Sequence, residues 1–170
     1  QFLRRYLTRP DVPYYLKRRY EFWIEALQRF APDIAAPADF ARAIEIFHAG
    51  DDVSPGPGNR MAAVHDVTAA SILRRFLDAG EQRSPAQLHE AYFTLGVIAL
   101  RTLEPKSAVP EMEMLLATSI RTAPEGKYAL EAYALIEEYG YVHEEHLAAP
   151  QAGQTLLDMN ELRQLLAPRL

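Results

Sequence analysis

Two histidines lie three residues apart in His143-Glu-Glu-His146. Imidazoles at that spacing on a helix can share a metal ion, and Glu137, Glu138, Glu144 and Glu145 supply oxygens close by. Zinc proteases instead set their histidines at i and i+4, with the glutamate beside the first. His143 and His146 are therefore expected to be the solvated, acidic tail of a helix, and no metal site is predicted. The chain has no cysteine, which removes thiolate zinc sites, disulfides and cysteine nucleophiles. Ser54, Ser71, Ser84, Ser107 and Ser119 sit in no Gly-x-Ser-x-Gly elbow, and each has a cap, turn or helix-interior explanation. Pro55-Gly-Pro-Gly58 lacks the Lys-Ser/Thr of a phosphate loop, and its prolines carry no N–H to offer a phosphate. His65-Asp66 and His89-Glu90 are sequence neighbours whose side chains point about 100° apart on a helix, so neither pair makes a dyad. No catalytic residue and no cofactor are expected.

The elements that would position these groups are set off by Pro and Gly. Tyr, Trp, Phe and Leu recur at Leu16, Tyr20, Trp23, Leu27 and Phe30, the stripe of an amphipathic helix, with Pro32 just past its end. A second helix is expected over 37–49, with Phe40, Ala43, Ile44 and Phe47 on one face and Gly50 as its C-cap. Residues 51–59 read as a Pro/Gly loop. A helix over 61–79, with Val64, Val67, Ala70, Ser71, Leu73 and Leu77 inward, closes at Gly80. Ser84-Pro85 places an N-cap serine before a proline at the first helical position. Helices follow over 88–103, 110–123 and 125–139, the last meeting Gly140, and over 155–167. No segment alternates with the period of two that marks a half-buried strand. The fold is expected to be all-α: six to seven helices in antiparallel hairpins, in a single domain over 1–170. Its parts are N-terminal helices over 1–50, the Pro/Gly loop over 51–60, hairpins over 61–146 and a C-terminal helix over 154–168.

Composition fits a globular chain, with 170 residues, 49% hydrophobic and 24% charged. The longest apolar run, 92–100, is about half the ~18–20 residues that cross a bilayer. The opening Gln1-Phe-Leu-Arg-Arg5 carries no signal peptide and reads as the start of a trimmed or mature form, which leaves open an export signal or lipid anchor before it. A net charge of −5 argues against nucleic-acid binding. The charge is uneven, because residues 1–30 hold seven basic and three acidic side chains while the remainder holds eleven and twenty. The basic face of an amphipathic first helix explains this, with contact to an anionic membrane as the alternative.

Tyr92-Phe-Thr-Leu95-Gly96-Val-Ile-Ala99 resembles the first helix of a tetratricopeptide repeat, in which Gly lets the second helix approach closely. Met112 to Ala123, ended by Pro124, resembles the second helix, and Ala43-x3-Phe47 matches that family's small-then-aromatic pair. The resemblance spans about 86–140, with a fainter copy at 14–49. The 104–110 connection is about one turn too long for it, and no second Leu-Gly follows. Ser119-Ile-Arg-Thr-Ala-Pro124, running into Tyr133-Ala-Leu-Ile-Glu-Glu-Tyr139, is similar to the closing hairpin of tetratricopeptide-like proteins of proteobacterial cell envelopes. One such group is the helical component of bacterial sterol transport systems. That resemblance implies a periplasmic or outer-membrane-associated binding protein facing the periplasm. Its expected partners are an apolar lipid-like ligand, other transport proteins and the membrane.

Several helices are apolar on more than one face. The surplus must pack inside, lie exposed or line a covered groove, and a soluble chain favours the last. The expected ligand-binding residues are Tyr92, Leu95, Met112, Leu116, Tyr133 and Ile136, for a sterol or similar lipid. The competing expectation is a tetratricopeptide-like scaffold whose concave face holds a partner protein.

Overall fold

The computed structural model describes residues 2–53, 60–79, 83–102, 105–144 and 157–170, with only the backbone described at 2, 3, 6, 60, 105, 106 and 141–144. The described residues form eight α-helices and a 3-10 turn, with no strand among them. The helical class expected from the sequence is what is found. The chain falls into two compact units, residues 1–76 and 77–170, and the division lies near the end of a helix, not at the Pro/Gly segment. No helix of the described residues is long and apolar enough to cross a membrane.

The first unit contains α1 (Phe2–Leu7), α2 (Tyr14–Ala35), α3 (Phe40–Val53), the 3-10 turn (Arg60–Ala62) and most of α4 (Ala63–Asp78). Ala26 and Phe30 of α2 pack into a core with Ala43, Ile46, Phe47, Ile72 and Leu73. The expected α2 stripe is shifted, because Leu27 is 43% exposed and Ala26 takes the inward place. Pro32 does not end α2, which continues to Ala35. Its missing N–H removes one bond of the last turn only. The carbonyls at that end are met by Arg75, which donates to Ala36 O at 2.7 Å and Asp33 O at 3.4 Å. Arg42 then ties α3 to α2 through a two-pronged contact with Asp33 (2.8 and 3.1 Å), and these hydrogen bonds, aided by its charge, hold the Asp33 carboxyl below the usual range.

Gly50 is no C-cap. It lies buried inside α3, which runs on to Val53, and a Cβ there would stand 3.0 Å from the His65 Cβ. Helix α4 also differs from expectation, since Val67 is exposed while His65, Asp66, Thr68 and Ala69 are buried. The rest of the predicted Pro/Gly loop, 54–59, and Gly80 fall outside the described residues.

The second unit contains α5 (Pro85–Thr102), α6 (Pro105–Thr122), α7 (Ala129–Glu144) and α8 (Met159–Leu166). Ser84 caps α5 as its sequence implies: its Oγ accepts from Gln87 N at 3.2 Å, and Gln87 Oε1 accepts from Ser84 N at 3.2 Å. Helix α6 begins at Pro105, earlier than expected, with Pro110 inside it. One missing N–H near its first turns is a small loss, and the connection from α5 is correspondingly short. Helix α7 starts later than expected and runs through Gly140, beside which lies only the flexible end of Glu113.

Candidate functional site

Three helices of the second unit bring most of the expected ligand residues onto one surface. Helix α6 presents Met112, Leu116 and Ile120 at i, i+4 and i+8, and all three are fully buried. Helix α7 presents Ala129, Ala132, Tyr133 and Ile136 at i, i+3, i+4 and i+7 in the same cluster. The two alanines keep that face low, so the larger side chains of α6 settle against it. Helix α5 contributes Phe93 and Ala99, whereas Tyr92 is half-buried and Leu95 buried elsewhere on that helix. The close approach of α5 and α6 is centred on Gly96, where a Cβ would stand 2.6 Å from Leu116 Cδ2 and 2.8 Å from its Cγ. Met112, Leu116, Tyr133 and Ile136 are thus brought together.

Helix α8 covers the α6–α7 surface and packs on both helices. It is eight residues long, and its two buried leucines, Leu162 and Leu166, complete the cluster. Asp158 caps it by accepting from Asn160 N (2.9 Å) and Glu161 N (3.2 Å). Polar contacts ring its edge. Arg121 of α6 holds Glu161 with two bonds of 2.8 and 2.6 Å. Arg163 donates to the Tyr133 hydroxyl at 3.1 Å and to Glu137 Oε1 at 3.2 Å. Loss of water around the Tyr133 hydroxyl raises its pKa, and Glu137 adds to the rise while Arg163 opposes it. Arg169, past the end of α8, donates to Pro124 O at 3.0 Å and Gly126 O at 2.8 Å. The surface therefore has an apolar floor, the Tyr133 phenol held by Arg163 at its edge and a cover built from the chain's own C-terminal helix.

A second, polar cluster borders the first, near the start of α5, the end of α6 and the turn into α7. His89 of α5 is buried, and its Nε2 accepts from Tyr128 N at 3.1 Å. With Nε2 an acceptor, the ring proton belongs on Nδ1, which lies 2.9 Å from Ser119 Oγ and 3.1 Å from Ser119 O. The Ser119 hydroxyl donates to His89 O at 2.8 Å. A serine beside a histidine suggests a nucleophile, but Ser119 is completely closed to solvent and its proton is committed to a backbone carbonyl. The trio instead locks α5, α6 and the turn before α7. Gly126 is required there, since a Cβ would stand 2.5 Å from His89 Nε2. Tyr128 stacks on Phe93 at 4.4 Å, and a recess of about 480 Å³ opens beside it, lined in part by Pro85, Ala86, His89, Lys127 and Tyr128. None of the six expected ligand residues lines that recess.

The sequence reading missed this lock. Its one local sign is that His89 shares a helical face with Phe93 and Gly96, at i+4 and i+7. The His143 and His146 side chains lie outside the described residues. Among the described residues, no group of three or more His, Asp or Glu is placed to hold a metal ion. No family model, curated protein or solved structure matches the chain.

Proposed function

We propose that the protein is a non-enzymatic binding protein of the cell envelope, holding an apolar lipid-like ligand of the sterol class between α6 and α7, with α8 as the displaceable cover. The observation that carries this reading is the shared surface of Met112, Leu116, Tyr133 and Ile136 beneath an eight-residue helix. A helix of that length is marginal by itself and depends on what it packs against. Tyr133 offers a ring for a rigid apolar body and a hydroxyl for its polar end. The ligand class and the periplasmic setting come from the resemblance in the sequence. The covered surface agrees with them because a carrier must shield its apolar site when empty.

A second reading is favoured by the cover itself. Leu162 and Leu166, at i and i+4, engage the surface as an amphipathic partner helix would, which suits a protein-interaction scaffold. One titration separates the two. If α8 occupies its own site, apparent affinity is reduced by the fraction of time the site is open. Leu162→Asp should therefore raise the affinity for the fluorescent sterol dehydroergosterol by about tenfold, and Ile136→Asp should abolish it with helical circular dichroism retained. Tight binding of a peptide copy of residues 157–170 to the Leu162→Asp chain, with no sterol uptake by any variant, would replace the lipid reading with the scaffold.

A further inference from the structure

The first 20 residues carry six basic side chains (Arg4, Arg5, Arg9, Lys17, Arg18 and Arg19) against one acid, Asp11. That is a local charge of +5 in a chain whose total is −5, so the other 150 residues carry −10. The imbalance falls on a well-defined corner of the first unit, where α1 packs on the start of α2.

The corner is stiff. Val12 is buried inside it, and Arg9 grips Asp11 through two bonds of 3.0 and 2.6 Å. Pro10 and Pro13 fix the backbone on either side, and Pro13 O accepts from Leu16 N and Lys17 N at 3.0 and 3.1 Å, starting α2. Thr8 Oγ1 donates to Arg5 O at 2.8 Å and closes α1. What faces outward is unlike a solvated helix end. Tyr14 is 75% exposed and Tyr15 68% exposed, the two most exposed of the large hydrophobic side chains described. Arg18 follows at i+4 from Tyr14 and i+3 from Tyr15, so the three share one patch of α2. Arg4 and Arg5 are exposed on α1, the helix that packs against α2.

Tyrosines with one apolar and one wet end, next to arginines with long stems, match the layered chemistry of a bilayer headgroup region. Anionic lipid supplies the opposite charge, and a cationic patch is drawn to it within a Debye length. Residues 21–76 of the same unit hold eight acidic and five basic side chains, so within this unit the corner is the part an anionic surface attracts. A long RNA extending along α2 would, by contrast, meet the exposed carboxylates of Glu21 and Glu25. We infer that the α1–α2 corner is a peripheral docking site for an anionic membrane surface, with Arg4, Arg5 and Arg18 meeting headgroups and Tyr14 and Tyr15 seated at the interface. This goes beyond ligand binding by the second unit and stands or falls separately from it.

The test is cosedimentation of the full chain with vesicles of phosphatidylcholine alone, or with roughly a third phosphatidylglycerol, at low and high salt. Binding should require the anionic lipid and weaken as salt rises. Arg4→Glu with Arg5→Glu and Arg18→Glu should weaken it more than about a hundredfold, at roughly fivefold per cation lost and more for each reversal. Tyr14→Ser with Tyr15→Ser should leave a residual association that high salt removes completely. The altered residues are exposed, so fluorescence of Trp23, the single tryptophan, should be unchanged in both variants. Equal binding to neutral vesicles, full binding by the charge-reversed variant, or binding to single-stranded RNA with none to vesicles would each overturn the assignment.

Discussion

In the C-terminal unit Met112, Leu116, Ile120 and Leu162 are all closed to solvent, while in the N-terminal unit Leu27, Ile34 and Val67 stand 43%, 42% and 60% exposed. Both units are made of amphipathic helices with more apolar residues than one stripe requires. In the second unit most of the excess is absorbed, with Met114, Leu165 and Leu170 left outside, because small residues let neighbours close in, at Gly96 between α5 and α6 and at Ala129 and Ala132 on α7, and because α8 then lies over the result. In the first unit the inward row of α2 is narrow, Ala26 and Phe30, and Leu27 and Ile34 fall to its edge. The number of apolar positions on a helix therefore does not decide how much is buried. The depth to which a neighbour can approach does.

The largest test of this contrast is a pair of truncations. Leu116→Ala should cost about 3–5 kcal/mol, the range for a buried leucine whose site cannot collapse, and lower Tm by roughly 10 °C or more. Leu27→Ala, on the half-wet edge of α2, should cost less than about 0.5 kcal/mol. Similar losses at the two sites, by thermal circular dichroism, would erase the difference between the units. A smaller effect is expected at the close approach itself. Gly96→Ala puts a methyl group 2.6 Å from a buried Leu116 side chain that has nowhere to retreat, and overpacking of that kind costs about 1–3 kcal/mol. An unchanged melting curve would mean that α5 and α6 have slack between them, and the explanation for the dry second core would fail.

The smallest effect belongs to the first unit and depends on acidity. His65 is buried between Phe22 (5.7 Å, stacked) and Phe30 (4.9 Å, edge-on), and its Nδ1 has no hydrogen-bond partner. Loss of water, and then the Arg29 charge, hold its pKa below the ordinary 6.5. Above that pH the ring is neutral whether the chain is folded or not, so this contribution to stability is level. As pH falls below 6.5 the unfolded chain takes up the proton first, and stability declines until the native ring is protonated too. Trp23 lies in the same unit, with its indole N–H on Met61 O at 3.2 Å, and its fluorescence follows this unit's unfolding. His65→Phe should flatten the slope of the denaturation midpoint between neutral and mildly acid pH. An equally steep slope in the variant would assign the acid sensitivity to other groups.

What was legible in the sequence was local. Ser84-Pro85 announces the start of α5 because both capping and proline geometry act within three residues. The helical class followed from spacing alone. Of the candidate site, Met112, Leu116, Tyr133 and Ile136 were marked by period and composition, and they do share a surface. Their cover was not legible, since nothing near Leu162 and Leu166 says which face of which helix they will meet. Gly50 and Gly140 look like helix ends locally and prove to be interior. At Gly50 the reason is His65, which comes close only after α3 and the following helix pack. Pro32 and Pro110 misled in the same way, because each removes a single N–H near one end of a helix that its packing holds together, and at the end of α2 Arg75 meets the carbonyls.

The lock at His89 bears on the order in which the chain can be assembled. Its ring leaves the ribosome 30 residues ahead of Ser119 and 39 ahead of Tyr128, the two groups that will hold it. During vectorial synthesis α5 must therefore wait with its imidazole unclaimed, and the hairpin with α6 can form before the turn beyond it exists. Once that hairpin holds Ser119 beside the ring, the bond from Tyr128 N closes only the short stretch from 119 to 128, so it costs little further entropy and completes the lock last.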